Sequence, residues 1–380
     1  MNNFIKQDHL IFAPEDVDLA QSPLRNGLKE STFVLGAFNP GLCRLHNGNL
    51  MIMVRVAEAL TEPVYNNQVH CIRWDAENKF VINEWQLEDA DMKDPRSFVL
   101  KNYPFPVCAV TSLSWLLPVE LNKDATEIIK IHYDKIIFPQ YTNQEYGIED
   151  PRISFIDGRY YMTTCCVSSE SHSTILYMSE DGLNYTYMGM VLDHQNKDML
   201  LFEGKINDTY YALTRPLGSC YFASHPSSLY HPGPSVHIAT SPDLLHWKPC
   251  DNSFLQARRS SVSNSKIGGG TPPILTKDGW LMLYHGVENK SDVGVYRTFW
   301  ALLDKDDPLK ILHLEDNIPM LEASPPLTQK ISERIYLHDV VFTTGIAEDG
   351  DDFIIASGEL DLACRITRIS KTYFSNSILK

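Results

Sequence analysis

The stretch GIEDPRISFIDGRYYMTTCC, residues 147–166, decides how the rest of the chain is read. Two carboxylates, Glu149 and Asp150, stand directly before Pro151 and Arg152. An Asp-Gly pair and an alternating aromatic run follow. Asp-Gly signals a tight turn between strands. Pro151 fixes its own φ and biases Asp150 toward extended backbone. Arg152 can grip a neighbouring carboxylate through paired hydrogen bonds. Taken alone, the tetrapeptide suits a pre-oriented acid or the polar end of a turn.

The pattern that follows it recurs. A turn of Asn, Asp or Gly, an apolar or aromatic strand and a polar strand end occur in NGNLMIMVR (47–55), DGRYYMTTCC (157–166), NDTYYALTR (207–215), DGWLMLYHG (278–286) and DDFIIASGELD (351–361). Helical periodicity is scarce, so the chain reads as all-β. A recurrent unit too small to bury its own faces points to a propeller or solenoid. Four short strands per unit fit the spacing, and five copies predict a five-bladed β-propeller. A generic array of β-sandwiches is the alternative. YMSEDGLNY (177–185) and IATSPDLLHW (238–247) add a second echo, Ser-x-Asp then an aromatic. Residues 1–32 are expected to form an arm or closing strand, and 33–380 one catalytic propeller. The segment 60–145 is longer than a unit requires and is expected to carry an insertion.

In a propeller, equivalent strand ends converge on one channel. Arg55, Arg215, Tyr284 with His285, and Glu359 with Asp361 would form that ring. A second Asp-Pro-Arg, KDPRSF (93–98), lacks the following turn and strand, so Asp94 reads as a turn residue.

The 380 residues carry 33 basic and 48 acidic side chains, a net charge of −15. That disfavours a sequence-independent grip on nucleic acid or on an anionic membrane. No signal peptide and no apolar run long enough for a membrane span are read from the sequence. The eight cysteines have no CxxC spacing, which suits reduced thiols in a cytoplasm and gives metal ligation no support.

FNPG (38–41), LMIMVRV (50–56), EDPRISFIDGRYYMT (149–163), NKDMLLFEGKINDTYYALTRP (196–216), SPDLLHW (241–247), KIGGGTPPILTKDGWLMLYHGV (266–287), ALLDKDDP (301–308) and HDVVFTTG (338–345) together resemble glycoside hydrolase family 130. The resemblance covers roughly residues 33–365, in order. It implies a five-bladed propeller acting on β-mannosides with inversion. Most family members are phosphorylases that transfer the glycosyl group to phosphate, giving mannose 1-phosphate, and some are β-1,2-mannosidases. Asp150 matches the family's general acid, whose proton is relayed through a sugar hydroxyl. Asn39 and Arg55 match sugar-binding positions. Arg152, Tyr284 and Asp361 are further substrate-binding candidates. Lys197 and Arg215, with His285, match the phosphate-contacting set. No metal or organic cofactor is implied; inorganic phosphate is the co-substrate and a mannose-containing oligosaccharide the partner. A homo-oligomer is left open.

Hydrolysis would need a second carboxylate as base, roughly 6.5–9.5 Å from the acid. Glu203 is the candidate, because LFEGK stands where the family has LFPEK. Other departures are SSVSNS (260–265) before KIGGG, no second arginine shortly after Arg55, and a long segment 217–234 that leaves His225 or His231 to replace a displaced histidine. An arabinanase-like hydrolase would need three carboxylates, for which Asp150, Glu203 and Glu359 are a poor set. A non-catalytic sugar-binding propeller is the remaining alternative.

Overall fold

A computed structural model describes residues 4–378 except Asn78, Ser291 and Asp292; the first three residues of the expected arm lie outside it. Among the described residues the protein is built mainly of strands, with two short α-helices, Pro325–Thr328 and Thr372–Ile378.

Each copy of the repeated motif supplies a turn and the strand after it, and each such strand pairs antiparallel with the one before. Leu50–Leu60 pairs with Thr32–Arg44, Arg159–Val167 with Gly147–Ile156, and Thr209–Pro216 with Asn196–Ile206. Trp280–Glu288 pairs with Lys266–Gly269, and Asp352–Glu359 with Val341–Asp349. Outer strands complete units of four strands, except the fourth, where Ile274–Leu275 also pairs with Trp280–Glu288 and makes five. In the last unit the outermost strand is Ile5–Phe12, which pairs with Ala363–Ser370. The first two units are joined into one eight-stranded sheet by a parallel pairing of Ser114 with Gly147. Gly147 sits there at φ +111°, and a Cβ would collide with the Ser114 backbone. Only glycine lets the two chains approach so closely.

Both faces of the inner strands are buried, which is why apolar residues run continuously instead of alternating with polar ones. In LMIMVRV, Leu50, Ile52, Val54 and Val56 pack against Ile354, Ala356 and Cys364 of the last unit. Met51 and Met53 face the opposite way, onto Ile153 and Met162 of the second. The same happens between the second and third units around Leu176 and Leu201, the third and fourth around Phe202 and Trp280, and the fourth and fifth around Trp300 and Phe353. The Ser-x-Asp echoes are matching turns. Ser179 Oγ and Ser241 Oγ accept from the backbone N–H three residues on, both at 2.9 Å.

The inserted structure lies within the segment 60–145. It comprises two three-stranded sheets within 64–86 and 90–110. Ser112–Leu121 and Ile128–Ile131 belong to the main sheet. The first is buried along its whole length against Leu50–Leu60, so its apolar run is core.

Candidate functional site

Several inner strands are interrupted by a bulge at the same level. The register skips between Phe38 and Gly41, Glu149 and Arg152, and Lys197 and Leu200. The bulge residues Asn39, Asp150 and Asp198 have φ of 48°, 49° and 56°. Asp150 is therefore left-handed, not extended as its proline neighbour suggests. Asn and Asp are the non-glycine residues that tolerate this region best, at a cost of about 1–3 kcal/mol. The bulge turns successive side chains out of the pleat. Gly358 makes room for Asn39, since a Cβ there would strike the Asn39 amide.

These bulges border a cleft of about 260 Å³ lined by Asn39, Arg55, Glu149, Asp150, Lys197, Arg215 and Asp361. Arg55 ties its floor together. Its NH1 donates to Asp150 Oδ1 and its NH2 to Glu149 Oε1, both at 2.9 Å, while Nε reaches Ser114 Oγ at 3.0 Å. Asn39 Nδ2 donates to the same Asp150 oxygen at 2.9 Å. Lys197 Nζ donates to Glu149 Oε2 at 3.0 Å. Lys197 and Arg215 stand directly opposite each other on paired strands.

Behind this layer lies Asp198, fully buried. It pairs with Arg152 NH2 at 3.3 Å and Arg215 Nε at 3.0 Å, with His285 Nε2 at 3.8 Å. Arg215 NH1 also donates to His285 Nε2 at 3.1 Å. Burial pushes the His285 imidazole down to about 3, the Arg215 and Arg152 charges act the same way, and Asp198 only partly opposes them. The ring is therefore neutral at ordinary pH and can accept the arginine's hydrogen bond.

Burial by itself would raise the Asp150 carboxyl, but Arg55, Arg152 and Lys197 together with the Asn39 hydrogen bond override it and hold the group well below the usual carboxylate range. Glu149 and Asp198 are lowered in the same way, chiefly by Arg55 and Lys197 and by Arg215. Asp361 is raised: its burial outweighs the pull of Arg96 and Arg55. At the Asp150–Lys197 end, four cations (Arg55, Arg152, Lys197, Arg215) face three carboxylates (Glu149, Asp150, Asp198).

Of the residues proposed from sequence, Asn39, Arg55, Asp150, Lys197, Arg215 and Asp361 meet at the cleft. The others do not line it. Arg152 is 2% exposed and donates to the backbone carbonyl of Asp150 at 2.7 Å, not to its carboxylate, as well as to Gly270 O. It fixes the bulge and touches no open space. Tyr284 is core. Neighbouring strand residues point to opposite faces, which sends Tyr284 with Met282 and Trp280 into the interface with the third unit, its hydroxyl on Glu315 O at 2.7 Å. His285 is buried behind Arg215 and holds the arginine. Glu203 lies five residues past Asp198, about 16 Å along the strand, where Phe155 N donates to its carboxylate. It is far from the acid, so it is not a base for this cleft. Glu359 is buried against Arg365, its other partner being Ser324 N. His225 and His231 lie away from the cleft, on the 217–234 segment; His225 bonds Ser227 and His231 borders a separate groove.

Sequence reasoning gave no role to Glu149 or Asp198. A signal existed for Asp198: NKDM occupies the strand position that IEDP occupies in the preceding unit. KDPR was also under-read. Asp94 does end a strand at a turn, yet Asp94 and Arg96 line the cleft, with Arg96 NH1 on Asp361 Oδ2 at 2.9 Å.

Residues 111–374 match the family model Glyco_hydro_130, described as beta-1,4-mannooligosaccharide phosphorylase. The beta-1,2-mannobiose phosphorylase of Listeria innocua is 31% identical over 375 residues, 95% of this chain and 94% of that protein. The 1,2-beta-oligomannan phosphorylase of a Thermoanaerobacter species is 33% identical over 252 residues, 63% of this chain and 74% of that one. The solved structure of the Listeria innocua beta-1,2-mannobiose phosphorylase in complex with beta-1,2-mannobiose superposes with a TM-score of 0.80 at 28% identity, covering 100% of this chain and 99% of that one. Motifs, cleft and relatives agree: the chain belongs to glycoside hydrolase family 130.

Proposed function

We propose that the protein is an inverting β-mannoside phosphorylase that cleaves β-1,2-linked mannosides with phosphate, giving mannose 1-phosphate. The observation that carries this reading is the cationic surplus beside Asp150. Lys197 and Arg215 face each other at the cleft, and phosphate needs such a site because it is itself the nucleophile. Among the described residues that line the cleft, every carboxylate is already ion-paired. Glu149 is held by Arg55 and Lys197, Asp150 by Arg55, and Asp361 and Asp94 by Arg96. None is left free as a hydrolytic base. The names of the Listeria innocua and Thermoanaerobacter relatives favour the same reaction and the β-1,2 linkage.

In this reading Arg55 and Asn39 orient both Asp150 and the sugar being transferred. Phosphate attacks the anomeric carbon, the glycosidic C–O bond breaks on the opposite face, and the departing oxygen takes the proton that Asp150 supplies through a sugar hydroxyl. A phosphate dianion seated on Lys197 and Arg215 offsets the cations that hold Asp150 ionised. Its binding therefore favours the protonated acid.

The five mutually packed units support a five-bladed propeller formed by residues 33–380, with Ile5–Phe12 as the strand that closes its last blade. Eight cysteines without a CxxC spacing suit a reducing cytoplasm. The decisive experiment is to incubate the protein with β-1,2-mannobiose with and without phosphate. Mannose 1-phosphate forming only with phosphate is expected; mannose release at the same rate without it would overturn phosphorolysis.

A further inference from the structure

The cleft has a second pole of different chemistry. The turn between Ala90–Asp94 and Ser97–Leu100, part of the inserted structure, reaches into it. Thr111 fastens that turn from below: its N–H donates to Arg96 O at 3.0 Å and its hydroxyl to Pro95 O at 2.6 Å. Arg96 lies flat against Asp94, with Nε and NH2 on the two carboxylate oxygens at 3.0 and 2.8 Å. Its NH1 crosses to Asp361 of the last unit at 2.9 Å. Tyr336 supports the far side through its hydroxyl on Asp361 O at 2.8 Å.

This cluster is not merely a surface clasp. Arg96 and Asp94 keep side-chain exposures of 29% and 34% and border the cleft together with the Ser97 and Ser112 residues. One guanidinium between two carboxylates leaves this pole net negative, so it repels a phosphate dianion. It offers in-plane donors flanked by carboxylate acceptors, the arrangement that suits the adjacent hydroxyls of a sugar ring. In an inverting displacement, nucleophile and leaving group occupy opposite faces of the anomeric carbon. With phosphate on Lys197 and Arg215 of the third unit and Asp150 and Arg55 between, the pole of the inserted turn and the fifth unit falls on the leaving-group side.

We propose that Arg96, oriented by Asp94 and Asp361, binds the leaving sugar of the β-mannoside, the same sugar that acts as acceptor in the reverse reaction. The inserted turn thereby selects the acceptor. The inference rests on the phosphorylase reading above.

The test is the reverse reaction, mannose 1-phosphate with mannose as acceptor, on wild type, Arg96→Gln, Arg96→Lys and Asp94→Asn, with thermal melting as the control for folding. Loss of charge-assisted hydrogen bonds predicts that Arg96→Gln raises the KM for mannose about tenfold or more. The KM for mannose 1-phosphate should stay within about twofold. Arg96→Lys, which keeps the charge but not the planar fork, should fall between, and Asp94→Asn should reproduce a milder form of the defect in a folded protein. An unchanged KM for mannose in folded Arg96 variants, or an equal rise for both substrates, overturns the acceptor assignment alone. A wild type without phosphate-dependent turnover overturns the functional reading and the assignment together.

Discussion

Arg55 and Asp150 come from different four-stranded units, yet the guanidinium NH1 lies 2.9 Å from the Asp150 carboxylate. The same arginine holds Glu149 with its other nitrogen. The pair fixes the acid's direction and favours its ionised form. Removing the carboxylate's acidity while keeping its shape isolates the chemical role. Asp150→Asn retains a residue that tolerates φ near 49°. Its kcat on β-1,2-mannobiose in phosphate should fall by about 10²–10⁴, the range for general acid catalysis, with melting temperature within a few degrees of wild type. A kcat within threefold of wild type would remove Asp150 from the acid's role.

Lys197 and Arg215 should report on phosphate, not sugar. Lys197→Met or Arg215→Lys is expected to raise the KM for phosphate by about 10–100-fold, since a hydrogen bond to a charged group contributes about 1.5–3 kcal/mol. The KM for the disaccharide should move far less. Initial-rate kinetics with both substrates varied would show it; a defect confined to the disaccharide contradicts the placement.

Asp198 has a positioning role, between Arg152, which fixes the acid's bulge, and Arg215. Asp198→Asn leaves two buried arginines short of a counter-charge, and breaking such a pair costs about 3–5 kcal/mol. A lower melting temperature and a higher KM for phosphate should appear together. The pH dependence has a definite sign. The Asp198, Asp150 and Glu149 carboxyls are all lowered by folding. Their stabilisation is present above the unfolded carboxylate pKa of about 4 and is lost as pH falls below it. Melting curves from pH 6 to 3 should drop steeply for wild type and less so for Asp198→Asn.

His285 should not shape activity near neutrality. With its imidazole pushed down to about 3 by burial, it stays neutral in the fold while an unfolded histidine protonates below about 6.5. Its contribution to stability is thus full above that value and declines as pH falls from there toward 3. Between pH 6 and 8, kcat/KM should show no limb that disappears in His285→Asn. A limb that does disappear would mean the ring titrates in the working enzyme.

Glu203 separates the two chemistries from the other direction. Five residues along its strand from Asp198, it lies outside the cleft. Glu203→Gln should keep kcat within about twofold. A drop beyond tenfold would restore it as a base and with it the hydrolytic reading.

The five turn-and-strand motifs were legible in sequence because Asn-Gly and Asp-Gly turns are local signals, and each does begin the second strand of a unit. Asp150 was legible for the same reason, as a charged residue at a repeated place. Tyr284 and His285 were misread because adjacent strand residues take opposite faces, and the packing of neighbouring units buries both of these faces. Glu203 was misread because likeness to a motif ignores distance along the strand.

By itself the sequence determined the β character, the repeat and the residue types at the strand ends, all of which depend on neighbours a few positions away. Only the tertiary structure decided which carboxylates share a cation. Asp94 and Arg96 stand 265 or more residues from Asp361, and Arg215 stands 70 from His285. Those pairings follow from how units and insertion pack around one cleft, where charge burial forces every carboxylate to find a partner.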